Sequence, residues 1–116
     1  MTIPIGWFSF DGPFESPDQI EAKAGVFVVL AAAEGGKFTM LEIDQAEDIS
    51  AGLTTHERKN CWEENKDCGL QYAVMYTPDL SDESRQLIVK EIRMEYVMPC
   101  SPSETPSHGY WRPEDQ

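Results

Sequence analysis

Four side chains of this 116-residue chain have the chemistry of zinc ligands: His56, Cys61, Cys68 and Cys100. Their gaps of four, six and 31 intervening residues match no common zinc knuckle, and without a C-x-x-C pair such a site would have to assemble across the fold. Three cysteines, an odd number without close pairing, read as reduced thiols and not as a disulfide framework. Serines lie near His56, but no G-x-S-x-G elbow places one as a nucleophile. Gly35-Gly36 is not a phosphate loop, because no Lys-Ser/Thr helix start follows it. His108 stands in a polar terminal stretch with no evident partner.

The elements that must position these groups are legible from patterning. Two apolar runs, Val26–Ala33 and Phe38–Ile43, flank Glu34-Gly35-Gly36-Lys37, and two glycines between strand-forming runs signal a hairpin because both accept positive φ. The stretch Asp44–Thr55 is carboxylate-rich, with Ile49 and Leu53 four apart on one helix face. A short amphipathic segment, His56–Asn65, follows, with Cys61 and Trp62 as its buried side. After a turn at Lys66–Gly69, Leu70–Tyr76 is rich in aromatic and β-branched types and reads as a third strand. Ser81 is an N-cap for a long helix to about Val97, with Ile88, Ile92 and Tyr96, and Leu87 beside them, as the face on the sheet. The expected fold is α/β: a small, mostly antiparallel three-stranded sheet, strands at 25–33, 37–44 and 69–76, flanked by helices.

Length allows one domain, and 41% hydrophobic with 26% charged residues is close to the globular norm, so a packed core is expected. Residues 1–24 are punctuated by Pro and Gly and carry Trp7, Phe8, Phe10 and Phe14, which reads as an arm packed on the core. Residues 101–116 hold three prolines and no aliphatic side chain, with Tyr110 and Trp111 their only large apolar groups, and read as a flexible tail. The longest apolar run falls far short of the roughly 20 residues of a membrane helix, and Met1–Trp7 lacks a basic signal start, so a cytoplasmic protein without membrane association is expected. The net charge of −12, from 21 acids against nine bases, argues against binding a phosphate backbone.

Several short motifs resemble the GIY-YIG domain, the nuclease module of certain homing endonucleases and of an excision-repair nuclease subunit. Gly25-Val26-Phe27-Val28 looks like the first-strand motif GVYV. Glu47-Asp48-Ile49-Ser50-Ala51, with Leu53 and His56 after it, resembles the S-x-D-I-x-x-R-L stretch and its nearby histidine. Cys61-Trp62 is similar to the family's CW pair, and Tyr96-Val97-Met98-Pro99-Cys100 to its Y-x-P-P-C close. The resemblance spans about Gly25 to Cys100 and implies a strand, strand, helix, short helix, strand, long helix order.

The resemblance also implies where catalysis would sit. In active members a tyrosine of the first motif, an arginine on the first helix and a metal-holding glutamate on the last helix do the work; here those positions fall on Phe27, Gly52 and Val89. The second motif is broken at Glu42 and Asp44, and His56 stands as a possible remnant. Phe27 cannot relay a proton, Gly52 brings no guanidinium to developing charge, and Val89 cannot bind magnesium. Glu91 is no ready substitute for Val89, since two residues along a helix rotate a side chain by about 200°. The expectation is therefore a non-catalytic GIY-YIG-like module for protein interaction or structure, a pseudoenzyme with no cofactor, no metal and an unspecified protein partner. The alternatives are a metal-dependent nuclease with a displaced site at Glu42, Asp44 or Glu91, and an acidic mimic of DNA.

Overall fold

The computed structural model describes residues 2–101. Ten short elements arise from them, of which eight frame the site. Strands β1 (Thr2–Ile5), β2 (Phe8–Phe14), β3 (Gly25–Ala32), β4 (Phe38–Ala46) and β5 (Gly69–Tyr76) form one sheet in the order β1-β2-β5-β3-β4, every neighbouring pair antiparallel. Helices α1 (Ile49–Thr54) and α2 (Lys59–Glu64) follow β4, and α3 (Asp82–Glu95) follows β5.

The sheet has five strands where the sequence led us to expect three, because residues 2–14 form a hairpin that adds two strands. Ile5 pairs with Phe8 across Gly6 and Trp7, and Gly6 takes φ +61°, which makes so tight a turn accessible. Pro4 is tolerated because β1 is the sheet's outer strand on that side, where a missing N–H costs no ladder bond. Phe10 is buried and Phe8 and Phe14 are partly so, but Trp7, at the hairpin tip, is 85% exposed and is not core material.

Alternation along β3 splits the interior into two layers. Phe27, Val29 and Ala31 face α1 and α2 and pack with Leu41, Ile49, Leu53, Trp62, Tyr72 and Val74. Val26, Val28 and Leu30 face the other way and pack with Ile43, Ala73, Val89 and Ile92 beneath α3, together with Ile5 and Phe10. Burial of β3 on both faces explains its nearly unbroken apolar run.

The central strands and α3 lie within a few residues of their expected bounds. The turn joining β3 to β4 has Gly35 at φ +79° and Gly36 at φ +76°, and Ser81 caps α3 by accepting from the Ser84 N–H at 3.1 Å. Three details differ. The first helix begins at Ile49, because Asp44–Ala46 still pair with β3, and Asp48 caps it by accepting from the Ala51 N–H. The buried face of α3 is Arg85, Val89 and Ile92, with Ile88 and Tyr96 partly covered, while Leu87 points to solvent. The helix stops at Glu95, leaving Val97 97% exposed.

Beyond α3, Met98 is buried, and Cys100 and Ser101 run along the free edge of β4. Cys100 N–H donates to the Leu41 carbonyl at 2.8 Å, and Ser101 Oγ accepts from the Ile43 N–H at 3.0 Å. Ser101 is thus anchored; the rest of the expected tail, 102–116 with His108, Tyr110 and Trp111, lies outside the described residues. Cys61 and Cys100 form a disulfide, which corrects the reading of all three cysteines as thiols, and Cys68 alone remains free and exposed. A sequence separation of 39 hid a proximity that the fold creates. Among the described residues no helix is long and apolar enough to cross a membrane.

Candidate functional site

A register shift in the β3–β4 ladder builds the most chemically loaded cluster. Val29 lies opposite Glu42 and Leu30 opposite Met40, so Leu41 is an extra residue in β4 and a bulge forms. The bulge lets Leu41 and Glu42 both serve the α1/α2 layer, and the following alternation brings Asp44 to the same face, opposite Phe27. The connection from α1 to α2 delivers His56 and Arg58, α2 delivers Trp62, and the C-terminal strap delivers Ser101.

Glu42 is fully buried, and its carboxylate accepts four hydrogen bonds. Oε1 accepts from Arg58 Nε at 2.8 Å and Trp62 Nε1 at 3.1 Å; Oε2 accepts from Arg58 Nη2 at 2.9 Å and Ser101 Oγ at 3.1 Å. The paired bonds from one guanidinium form a bidentate fork, the strong geometry for this pair. The Glu42 bond, working against partial burial, raises the proton affinity of Arg58 above its ordinary value.

Asp44 and His56 form the second half. Asp44 Oδ2 meets His56 Nε2 at 2.8 Å and Arg58 Nη2 at 3.3 Å, and Oδ1 accepts from the Gln45 N–H at 2.8 Å. His56 Nδ1 accepts from the Arg58 backbone N–H at 3.1 Å, which leaves the proton of the neutral ring on Nε2, donated to Asp44. The ring is held edge-on to Phe27, centroids 6.0 Å apart, and tilted over Trp62 at 4.8 Å. Burial pushes the Asp44 carboxyl up, but the His56 bond, the Gln45 N–H and the charges of His56 and Arg93 outweigh it and hold the group below its ordinary 3.8.

The sequence-derived positions do not all converge here. Phe27 is buried at the edge of the cluster, and Gly52 lies near it on α1, where an added Cβ would come within 2.9 Å of the Ala46 Cβ and 3.9 Å of Phe27. Val89 is buried on the opposite face beneath α3, and Glu91 is exposed on that helix. Of the carboxylates weighed for a displaced metal site, Glu42 and Asp44 meet, with His56, and Glu91 stands apart. Ligand atoms of Glu42, Asp44 and His56 lie within 4.8 Å of one another. Cys61 and Cys100 are joined to each other, and Cys68 sits in the turn before β5.

Sequence reasoning missed Arg58, the indole of Trp62 and Ser101 as partners of Glu42. The available signal was Glu42 itself, an acid between Leu41 and Ile43 in a strand-forming run, since a charge in such a setting needs a cation and further donors. No protein-family model matches the chain, and no characterised protein or solved structure matches it either.

Proposed function

We propose that this chain is a non-catalytic GIY-YIG-like module that acts by binding another protein or as a structural element. The observation that carries the reading is the saturation of Glu42: a fully buried carboxylate with four donors around it has no lone pair directed at a substrate. The element order β3, β4, α1, α2, β5, α3 is the order that the motif resemblance implies. Phe27, Gly52 and Val89 carry no acid, base or ligand; a Cβ added at Gly52 would come within 2.9 Å of the Ala46 Cβ, and Val89 is buried among apolar side chains.

Protein binding is favoured by apolar side chains left in solvent. Leu87 and Met94 lie seven apart on the outer stripe of α3. The Gly6 N–H donates to Tyr96 Oη at 3.1 Å, which holds Trp7 and Val97 at the same end of the molecule. A cytoplasmic location belongs to the same proposal.

The grouping of Glu42, Asp44 and His56 is the one observation that favours the second reading, a metal-dependent nuclease with a displaced site. Those residues do not fit a magnesium ion as they stand. Magnesium demands near-octahedral oxygen coordination, whereas both Glu42 oxygens are engaged, both His56 ring nitrogens are engaged, and the Arg58 guanidinium holds the space between the carboxylates. The third reading, mimicry of DNA, has the charge of −12 behind it, which a solubilising surface explains equally.

The deciding experiment is incubation of the purified full chain with duplex DNA and RNA in millimolar magnesium or manganese. No cleavage above a buffer control is expected. Metal-dependent cleavage that copurifies with the folded protein and is lost in both Glu42→Gln and the less buried Asp44→Asn would replace this reading with the displaced-site nuclease.

A further inference from the structure

The strap Met98–Ser101 covers the bulged segment of β4, the outer strand of the sheet on that side, and one covalent bond ties it down. Among the described residues its other holds are the Cys100 N–H on the Leu41 carbonyl, the Ile43 N–H on Ser101 Oγ, the Ser101 hydroxyl on Glu42 Oε2, and the burial of Met98 and Cys100. Val97 and Pro99 on either side of Met98 are exposed. The disulfide crosses from this strap to Cys61 on α2, which is half-buried, whereas Cys100 is buried. Asn65 Nδ2 lies 3.6 Å from Cys61 Sγ and 3.8 Å from Cys100 Sγ, and its 2.8 Å bond to the Cys61 carbonyl fixes the amide with its N–H side toward both sulfurs. An N–H donor beside a departing sulfur stabilises a thiolate.

We propose that the Cys61–Cys100 disulfide is a reversible clasp, whose reduction by a dithiol releases the strap and uncovers the edge of β4 and the Glu42 carboxylate. A thiolate of the reductant attacks Cys61 Sγ, the S–S bond breaks, and Cys100 leaves as a thiolate that takes up a proton. The reductant's second thiol then attacks the mixed disulfide, releasing Cys61, which is protonated in turn. Two electrons and two protons pass to the protein, and the reductant ends as its own disulfide. The open form presents the Leu41 carbonyl and the Ile43 N–H unpaired, next to Phe38–Met40 of the same outer strand. This inference is independent of the nuclease question, since the clasp operates whether or not the cluster binds metal.

The test is residue-resolved amide hydrogen exchange on the full chain, oxidised and after dithiothreitol, with thiol labelling as the redox readout. Labelling should find Cys68 alone before reduction and all three cysteines after, and oxidised glutathione should restore the first pattern. Exchange at Ile43 should accelerate by at least about tenfold on reduction, while Phe27, Val28 and Val74 in the centre of the sheet keep their protection. Cys100→Ser should show the reduced pattern without reductant. Three reactive thiols in the air-oxidised protein, unchanged exchange at Ile43, or loss of protection throughout the sheet would each overturn the clasp.

Discussion

Replacing Glu42 with glutamine tests whether the cluster is a structural keystone, because the substitution keeps shape and volume and changes only charge and donor pattern. In the best orientation the amide oxygen accepts from Arg58 Nε and Trp62 Nε1, as Oε1 does now. The amide nitrogen then faces Ser101 Oγ, which has a lone pair to accept with, and Arg58 Nη2 at 2.9 Å, which does not. One charge-assisted bond becomes a donor–donor contact. Such a bond contributes about 1.5–3 kcal/mol, and removing one member of a buried ion pair costs about 3–5 kcal/mol. Arg58 is 24% exposed and keeps Asp44 and Glu57 as partners, which places the expected loss at about 2–3 kcal/mol. For a domain of this size that lowers the thermal midpoint by roughly 10–15 °C. The internal control is Glu57→Gln, which removes the other acid on the same guanidinium; Glu57 is 81% exposed, so its loss should cost no more than about 0.5 kcal/mol. Urea and thermal unfolding of the two variants beside the parent give both numbers. Equal stability of Glu42→Gln and Glu57→Gln would refute the reasoning.

The remaining predictions concern the hairpin and the acid limb. Phe10→Ala should destabilise by about 3–5 kcal/mol and Trp7→Ala by almost nothing, measured by the same unfolding curves, since one ring is fully buried and the other stands in solvent. The Asp44 carboxyl, held below 3.8 in the folded chain, adds stability that is present above the unfolded value and is lost as pH falls through the folded one. The stability gap between the parent and Asp44→Asn should therefore shrink below about pH 4; a gap that grows there as the pH falls would contradict the assigned contacts.

How much of this was legible follows from range. The β3–β4 hairpin was, because Gly35-Gly36 and two apolar runs are local signals, and so was α3, because Ser81 and the apolar spacing lie within the helix itself. The β1–β2 hairpin was not, since Pro4, Gly6, Gly12 and Pro13 read as breakers, and only the pairing shows that Pro4 lies on the outer strand and that Gly12 and Pro13 fall in the irregular stretch of the β2–β5 ladder between Asp11 and Phe14. Leu87 was mistaken for a core residue because Arg85 takes a buried place through its bonds to Gln45 Oε1 at 2.8 Å and the Leu80 carbonyl at 2.7 Å. At the site, Glu42, Asp44 and His56 were singled out by type. Their union with Arg58, Trp62 and Ser101 depends on the bulge at Leu41 and on the Cys61–Cys100 bond, both products of tertiary structure.

The central claim is that the Glu42, Asp44, His56 and Arg58 cluster is already filled by its own partners. The most direct measurement follows the Trp62 indole N–H and the His56 ring protons by NMR, with Trp62→Phe to assign the indole, while magnesium or manganese is added to millimolar concentration. With Glu42 saturated, these signals should show no saturable shift or broadening beyond the diffuse response of surface carboxylates on a chain of net charge −12. A saturable, site-confined change at Trp62 and His56, abolished by Asp44→Asn, would show that a metal displaces Arg58 and would contradict the account.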